Sequence, residues 1–86
     1  MRVWGKIWKD GHLIRDMVAE EPGSDTRTHK ILRALEEICH AFDLPVPIWL
    51  DSNIAEFQRT SKTRFTADSF VEEIGFDCLE LQVIEE

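Results

Sequence analysis

The chain has 86 residues, of which 43% are hydrophobic and 31% are charged, and its formal net charge is −7. A chain of this length has room for one hydrophobic core, so residues 1–86 are expected to form a single domain. Charged residues interrupt the apolar ones too often for a membrane span, and the acidic balance opposes direct binding to nucleic acid or to an anionic membrane surface. The first residues enter a strand-like alternation without a targeting segment, which predicts a soluble cytoplasmic protein.

The charges are distributed unevenly along the chain. Residues 1–33 carry seven Lys or Arg against five Asp or Glu, whereas residues 65–86 carry seven carboxylates and no cation. Residues 34–58 are also acidic, and only Arg59, Lys62 and Arg64 separate the two acidic stretches. The carboxylates of the last third therefore suggest one functional hypothesis, an acidic surface that mimics nucleic acid.

The pair Asp10-Gly11 predicts a two-residue hairpin, because a type I′ turn needs positive φ at both central residues. Counting outward from the turn pairs Lys9 with His12, Trp8 with Leu13 and Ile7 with Ile14, and the same register continues to Val3 and Val18. One predicted face is aliphatic and suits a core: Val3, Ile7, Ile14 and Val18. The other predicted face carries aromatic and basic side chains: Trp4, Lys6, Trp8, Leu13, Arg15 and Met17.

Two helices are predicted in the middle of the chain. A helix from near Thr26 to Phe42, which ends before Pro45 and Pro47, is predicted by an apolar stripe at helical spacing: Ile31, Leu32, Leu35, Ile38, Cys39 and Phe42. Ile48-Trp49-Leu50 is either a brief strand or a buried linker. Asn53 followed by Glu56 resembles a capping box, so a second helix is predicted over residues 54–60.

The remaining residues predict a loop, a short helical segment and a strand. Residues 59–66 are expected to form a polar loop, and Asp68 to Ile74 one or two helical turns that end at Gly75. Alternation from Phe76 onward predicts a half-buried strand that joins the hairpin. Together these elements predict an α+β fold with two layers, in which one long helix and one or two short helices cover one face of a small antiparallel sheet.

Metal, cofactor and disulfide chemistry have little support in the sequence. His29 and His40 lie eleven residues apart on the first predicted helix, about 16 Å along its axis, which is too far to share one ion. Familiar metal-ligand spacings and nucleotide-binding loops are missing, so no metal and no cofactor is predicted. Cys39 and Cys78 lie far apart within regular structure and are expected to be reduced and buried.

The aromatic and basic face of the hairpin is the main candidate site. Trp4, Lys6, Trp8, Arg15 and Met17 would together form a surface that anchors a partner protein. The alternative is that Trp49, the second helix or residues 59–74 fold over this face and make both tryptophans part of the core.

The segment Arg59 to Arg64 alternates cations and hydroxyl groups. Arg59, Lys62 and Arg64 are candidate contacts for an anion, although a solvated loop that neutralises nearby carboxylates explains the same pattern. No glycine-rich loop supports a phosphate site.

We therefore predict a small non-catalytic interaction module, either a homodimer or a subunit of a complex, whose partner is a protein or a second copy. The site would be the aromatic and basic sheet face or an exposed sheet edge. The alternatives are the acidic mimic of nucleic acid and a small enzyme with a site near Asp51 and His40, although Asp51 has a simpler role in helix capping.

Overall fold

The computed structural model describes all 86 residues, which form a four-stranded antiparallel sheet and two helices. The elements in chain order are β1 (Arg2–Lys9), β2 (His12–Glu20), α1 (Arg27–Ala41), α2 (Asp51–Thr60), β3 (Lys62–Phe65) and β4 (Cys78–Glu85), with a 3-10 turn at Ala67–Ser69 before β4. The strand order in the sheet is β2-β1-β4-β3. The predicted α+β class and the pairing of the C-terminal strand with the hairpin are confirmed.

The turn of the hairpin is confirmed, but the predicted register holds only beside it. Asp10 and Gly11 have φ values of 52° and 79°, as a type I′ turn requires. Trp8 pairs with Leu13 as predicted; then a β-bulge at Ile14 shifts the register, so that Ile7 lies opposite Arg15. One extra residue in β2 moves every later side chain of that strand to the other face.

The predicted faces of β2 are therefore wrong beyond the bulge. Arg15 and Met17 lie on the helix-covered side of the sheet, and Val18 lies on the side of Trp4. The shifted register places the small side chain of Ala19 beneath α1, where it is fully buried. A helix that packs this close to the sheet excludes larger residues: a Cβ added at Gly5 would lie 2.6 Å from Cγ2 of Ile38.

Arg15 has a structural role in this register. Its guanidinium lies 4.5 Å from the centroid of the Phe42 ring and donates to the carbonyl oxygens of Ala41 and Phe42 at 3.5 Å. These carbonyls end α1, where a cation is favoured by the helix dipole. Arg15 thus ties β2 to the C-terminus of α1.

Helix α1 agrees with its prediction. The side chain of Thr26, the N-cap, accepts a hydrogen bond from the backbone N–H of His29. The buried stripe packs on the sheet and consists of Ile31, Ala34, Leu35, Ile38 and Cys39. Leu32, which was predicted to share the stripe, is exposed.

Helix α2 begins earlier than predicted, so Asn53 is not its N-cap. The cap is Leu50, and Asn53 is the third residue of the helix, where its Oδ1 accepts from the backbone N–H of Leu50. Its Nδ2 donates at 3.0 Å to Oγ1 of Thr63 and to the carbonyl of Arg64. Asn53 therefore links α2 to β3.

The sheet contains one strand that was not predicted, β3, which lies within the segment predicted as a polar loop. Lys62 to Phe65 pairs with β4, whereas residues 48–50 form no strand. Thr63 and Phe65 are fully buried, which explains why this short polar segment is held in the sheet. Of the helical turns predicted from Asp68 to Ile74, only the 3-10 turn forms.

Both helices and both long connections lie on the same side of the sheet. Trp49 packs edge-on against Phe65, with their ring centroids 4.9 Å apart. Phe70 belongs to the core, and Phe76 packs against it. Trp4 and Trp8 lie outside the core cluster and are only partly buried, so the alternative in which the chain makes both tryptophans part of the core is wrong.

Candidate functional site

The uncovered side of the sheet, called the open face below, combines tryptophans with an ionic network. The register places the following side chains on it: Trp4, Lys6 and Trp8 of β1; Leu13, Asp16 and Val18 of β2; Cys78, Glu80 and Gln82 of β4; and Lys62 and Arg64 of β3. Of the five predicted site residues, the structure brings together Trp4, Lys6 and Trp8. Arg15 and Met17 lie on the other side, because of the bulge.

Both indoles of the open face are held in place by hydrogen bonds across strands. Nε1 of Trp4 donates to Oδ2 of Asp16 at 2.8 Å, and Nε1 of Trp8 donates to Oε1 of Glu80 at 3.0 Å. Each ring is half-buried, so each presents aromatic surface to solvent with its N–H already paired. The two tryptophans are thus oriented without any partner.

Glu80 and Lys6 form the buried centre of the open face. Their residues are only 2% and 7% exposed, and Nζ of Lys6 lies 3.2 Å from Oε1 of Glu80. The same ammonium donates to Oε1 of Gln82 at 2.9 Å and lies 3.9 Å from the centroid of the Trp4 ring. A charged pair at this depth needs such additional contacts to offset the loss of hydration.

The surroundings of Glu80 favour its ionised form. Desolvation raises the pKa of this carboxyl, but hydrogen bonds from Trp8 and Lys6 and the nearby charge of Arg64 outweigh burial, so that the pKa is lowered overall. Nε of Arg64 lies 3.5 Å from Oε2, and Nζ of Lys62 lies 4.0 Å from it. Three cations therefore converge on one carboxylate.

Charges alternate across the sheet in one row of the open face. The pairings place Asp16, Lys6, Glu80 and Arg64 side by side on β2, β1, β4 and β3. The open face carries Lys6, Lys62 and Arg64 against Asp16 and Glu80, and at its end Arg2 lies between Glu20 and Glu85, so four cations balance four carboxylates. It is therefore not part of the acidic surface that the net charge of −7 predicts elsewhere.

The predicted anion-binding residues do not form one group. Lys62 and Arg64 flank Glu80 on β3, whereas Arg59 lies in the last turn of α2 and forms no ion pair. The cations of β3 thus already have a carboxylate partner. The alternation in β4 predicts that Glu80 and Gln82 share one face. Only the pairing of β4 with β1 and β3 brings them to the cations Lys6, Lys62 and Arg64.

The two edges of the sheet differ. At the β3 edge, side chains of α2 occupy the outward backbone groups: Glu56 accepts from the N–H of Arg64 at 3.3 Å, and Asn53 donates to its carbonyl. At the β2 edge, the bond from the N–H of Glu21 to the carbonyl of Met1 sets the alternation up to the bulge, so that Asp16, Val18 and Glu20 point their backbone groups outward. That edge has no intramolecular cap.

A groove between α1 and α2 is a second concave feature, on the covered side of the molecule. It has a volume of about 360 Å³ and is lined by apolar residues that include Leu32, Trp49, Ile54 and Phe57. Nε1 of Trp49 is buried without a hydrogen-bond acceptor. Leu32 and Ile54 are each 42% exposed on its walls.

The residues of the predicted enzyme site are not brought together. His40 lines a shallow depression on α1 with Glu36 and Glu37, whereas Asp51 is exposed at the start of α2 and lines no cavity with it. No three His, Cys, Asp or Glu side chains are grouped as metal ligands would be. Neither helix has the length and apolar character that crossing a membrane requires.

The two cysteines are free and buried, as predicted. Cys39 lies on the buried face of α1, and burial raises the pKa of its thiol to about 11. Cys78 lies on the open face beside Trp8, and desolvation is also the main cause that raises the pKa of its thiol.

Comparisons with known proteins identify no relative: no protein-family model, no curated protein and no solved structure matches the chain.

Proposed function

We propose that the protein is a non-catalytic interaction module that binds a protein partner through the open face. The observation that carries the proposal is the pair of tryptophans, which the chain leaves uncovered and holds in fixed orientations. Trp and Arg are enriched among the residues that contribute most to protein–protein binding, and Arg64 lies on the same face.

Preorganisation supports an interface in particular. Trp4 and Trp8 already donate to Asp16 and Glu80, so little side-chain freedom is lost when a partner covers the rings. A partner that covers the face also shields the Lys6–Glu80 pair from water, which strengthens the attraction between its charges. The network thus provides both apolar surface and polar specificity.

The experiment is affinity capture with the tagged chain at low and high salt, followed by quantitative mass spectrometry. The wild type is compared with a Trp4→Ala/Trp8→Ala variant and with a Leu32→Ala/Ile54→Ala variant, which removes apolar surface from the helical groove. Arg64→Ala is a milder change on the open face, because that side chain is 61% exposed. Circular dichroism establishes that each variant is folded.

We expect one partner whose binding persists at high salt and is lost in the Trp4→Ala/Trp8→Ala variant. Its binding should be weakened by Arg64→Ala and unchanged in the groove variant. Loss with the groove variant alone would assign binding to the α1–α2 side and overturn the proposal. Partners that disappear with salt and ignore both variants would favour the acidic mimic of nucleic acid, since binding to a basic protein weakens steeply as salt rises.

A further inference from the structure

We infer that the partner of the open face is a second copy of the same chain, bound face to face about a twofold axis that runs parallel to the strands between β1 and β4. This inference rests on the proposed function, since it names the partner of the same surface. In this arrangement β2 of one copy lies over β3 of the other, and β1 lies over β4. Each row of side chains is then placed over the same row of the second copy in reversed order.

The alternating row is self-complementary under that reversal. Its charges run negative, positive, negative, positive from Asp16 to Arg64, so the reversed row places a positive charge over each negative one. The outermost residues are the accessible ones: Asp16 is exposed, and the Arg64 side chain is 61% exposed. Asp16 of each copy would therefore meet Arg64 of the other, which gives two symmetric ion pairs.

Both groups have unused hydrogen-bonding capacity. Trp4 bonds to Oδ2 of Asp16, which leaves Oδ1 free, and Arg64 approaches Glu80 through Nε, which leaves its two terminal amino groups free. A guanidinium with two free donors suits a carboxylate in a charge-assisted contact. Pairing between copies thus requires no internal bond to break.

The neighbouring rows contain no like charges that would oppose each other. In the row of Trp4 the reversal places the indole over the Gln82 amide of the second copy, and Val18 over the aliphatic stem of Lys62. In the row of Trp8 the indole meets Cys78. A twofold axis across the strands would instead place β2 over β2, and Asp16 over Asp16.

The size of the open face suits a dimer. With about 3.3 Å per residue along β1 and about 4.8 Å between strands, the sheet covers roughly 26 by 19 Å, about 500 Å² before side-chain relief is counted. Stable interfaces bury about 800 Å² of accessible surface per partner, so the dimer would need the whole face together with the relief of its side chains. Two sheets that stack in this way cross at about 30° or less.

The test exchanges the charges of the outer pair. Sedimentation velocity over a concentration series compares the wild type with Asp16→Arg, Arg64→Asp, an equimolar mixture of the two, and the double variant. Each single variant replaces two attractive contacts with two repulsive ones, so we expect its dimer Kd to rise at least about tenfold, or about 1.4 kcal/mol. The mixture and the double variant restore opposite charges at both contacts and should recover the dimer.

Two reversals outside the open face are matched controls. Glu37→Arg on α1 and Arg59→Asp on α2 make the same charge changes at exposed positions, and they should leave the dimer intact. Recovery in the mixture also shows that the single variants are folded. Dimers joined through the β2 edges would ignore Arg64→Asp, because β3 lies at the opposite edge of the sheet.

The outcomes distinguish this inference from the proposed function. A wild type that remains monomeric, with tryptophan-dependent capture of another protein, would overturn the second copy as partner and keep the open face as the binding site. A dimer that forms but ignores both the charge exchange and Trp4→Ala/Trp8→Ala would overturn the face-to-face dimer, and a partner captured equally well by the tryptophan variant would overturn the proposed function.

Discussion

Replacing Glu80 with alanine should destabilise the protein more than any surface substitution would. The change leaves the ammonium of Lys6 without its carboxylate and the N–H of Trp8 without its acceptor. Breaking a buried ion pair costs about 3–5 kcal/mol. We expect the lower end, about 3 kcal/mol, because Lys6 keeps Gln82 and the ring of Trp4.

Urea denaturation followed by circular dichroism measures this loss directly. A domain of this size loses about 4–8 °C in Tm per kcal/mol, so thermal unfolding should shift by roughly 12–24 °C. A Lys6→Met/Glu80→Leu variant removes both buried charges and should be less destabilised than Glu80→Ala alone, since the only cations left without a carboxylate, Lys62 and Arg64, are exposed. A loss below about 1 kcal/mol for Glu80→Ala would refute the reasoning, because that is the behaviour of a solvated ion pair.

The same carboxyl predicts how stability depends on pH. Its pKa in the folded state is lowered from the ordinary value of 4.5, so its ionised form stabilises the fold at pH values above 4.5 and loses that contribution as pH falls through the folded-state pKa. The difference in unfolding free energy between wild type and Glu80→Gln should be constant near neutral pH and shrink below pH 4.5. A difference that grows on acidification would contradict the direction of the shift.

Three further predictions concern the scaffold. Gly5→Ala should cost about 1–3 kcal/mol by overpacking against Ile38 and much less in an Ile38→Ala background, and equal costs in a double-mutant cycle would contradict the close contact. The thiols of Cys39 and Cys78 should react with a thiol reagent at pH 7 at rates limited by opening of the fold, and urea should accelerate both reactions. Fast modification of Cys39 in the native protein would argue against its burial. Asn53→Ala should lower the free energy of unfolding by about 1–3 kcal/mol, because the backbone N–H of Leu50, the hydroxyl of Thr63 and the carbonyl of Arg64 each lose a partner. Hydrogen exchange should then report earlier opening of β3, and unchanged protection of β3 would count against the connection between α2 and β3.

The elements predicted correctly are those whose conformation is set by residues that are close together in the sequence. The Asp10-Gly11 turn follows from the φ values that those two residues tolerate, and α1 follows from a helical apolar stripe with a Thr26 cap. The alternation of β4 also lies within one segment. These features need no information about distant residues.

The candidate site was predicted in part for the same reason. Trp4, Lys6 and Trp8 share a face because alternate residues of any strand do so. Their partners Asp16, Glu80 and Arg64 belong to three other strands. The turn predicts that β2 pairs with β1, but neither the bulge that brings Asp16 opposite Lys6 nor the pairing of β3 with β4 is encoded near the tryptophans. The error over Arg15 and Met17 arose from a single bulged residue, Ile14.

The sequence by itself determined the fold class, the hairpin turn, the long helix and the presence of two tryptophans on one side of β1. Tertiary structure decided the register of β2, because the close approach of α1 requires Gly5 and Ala19 beneath it. Burial of Thr63 and Phe65 likewise made β3 a strand. The open face exists because both connections pack beside the helices, and that choice depends on which surfaces exclude water together rather than on any one segment.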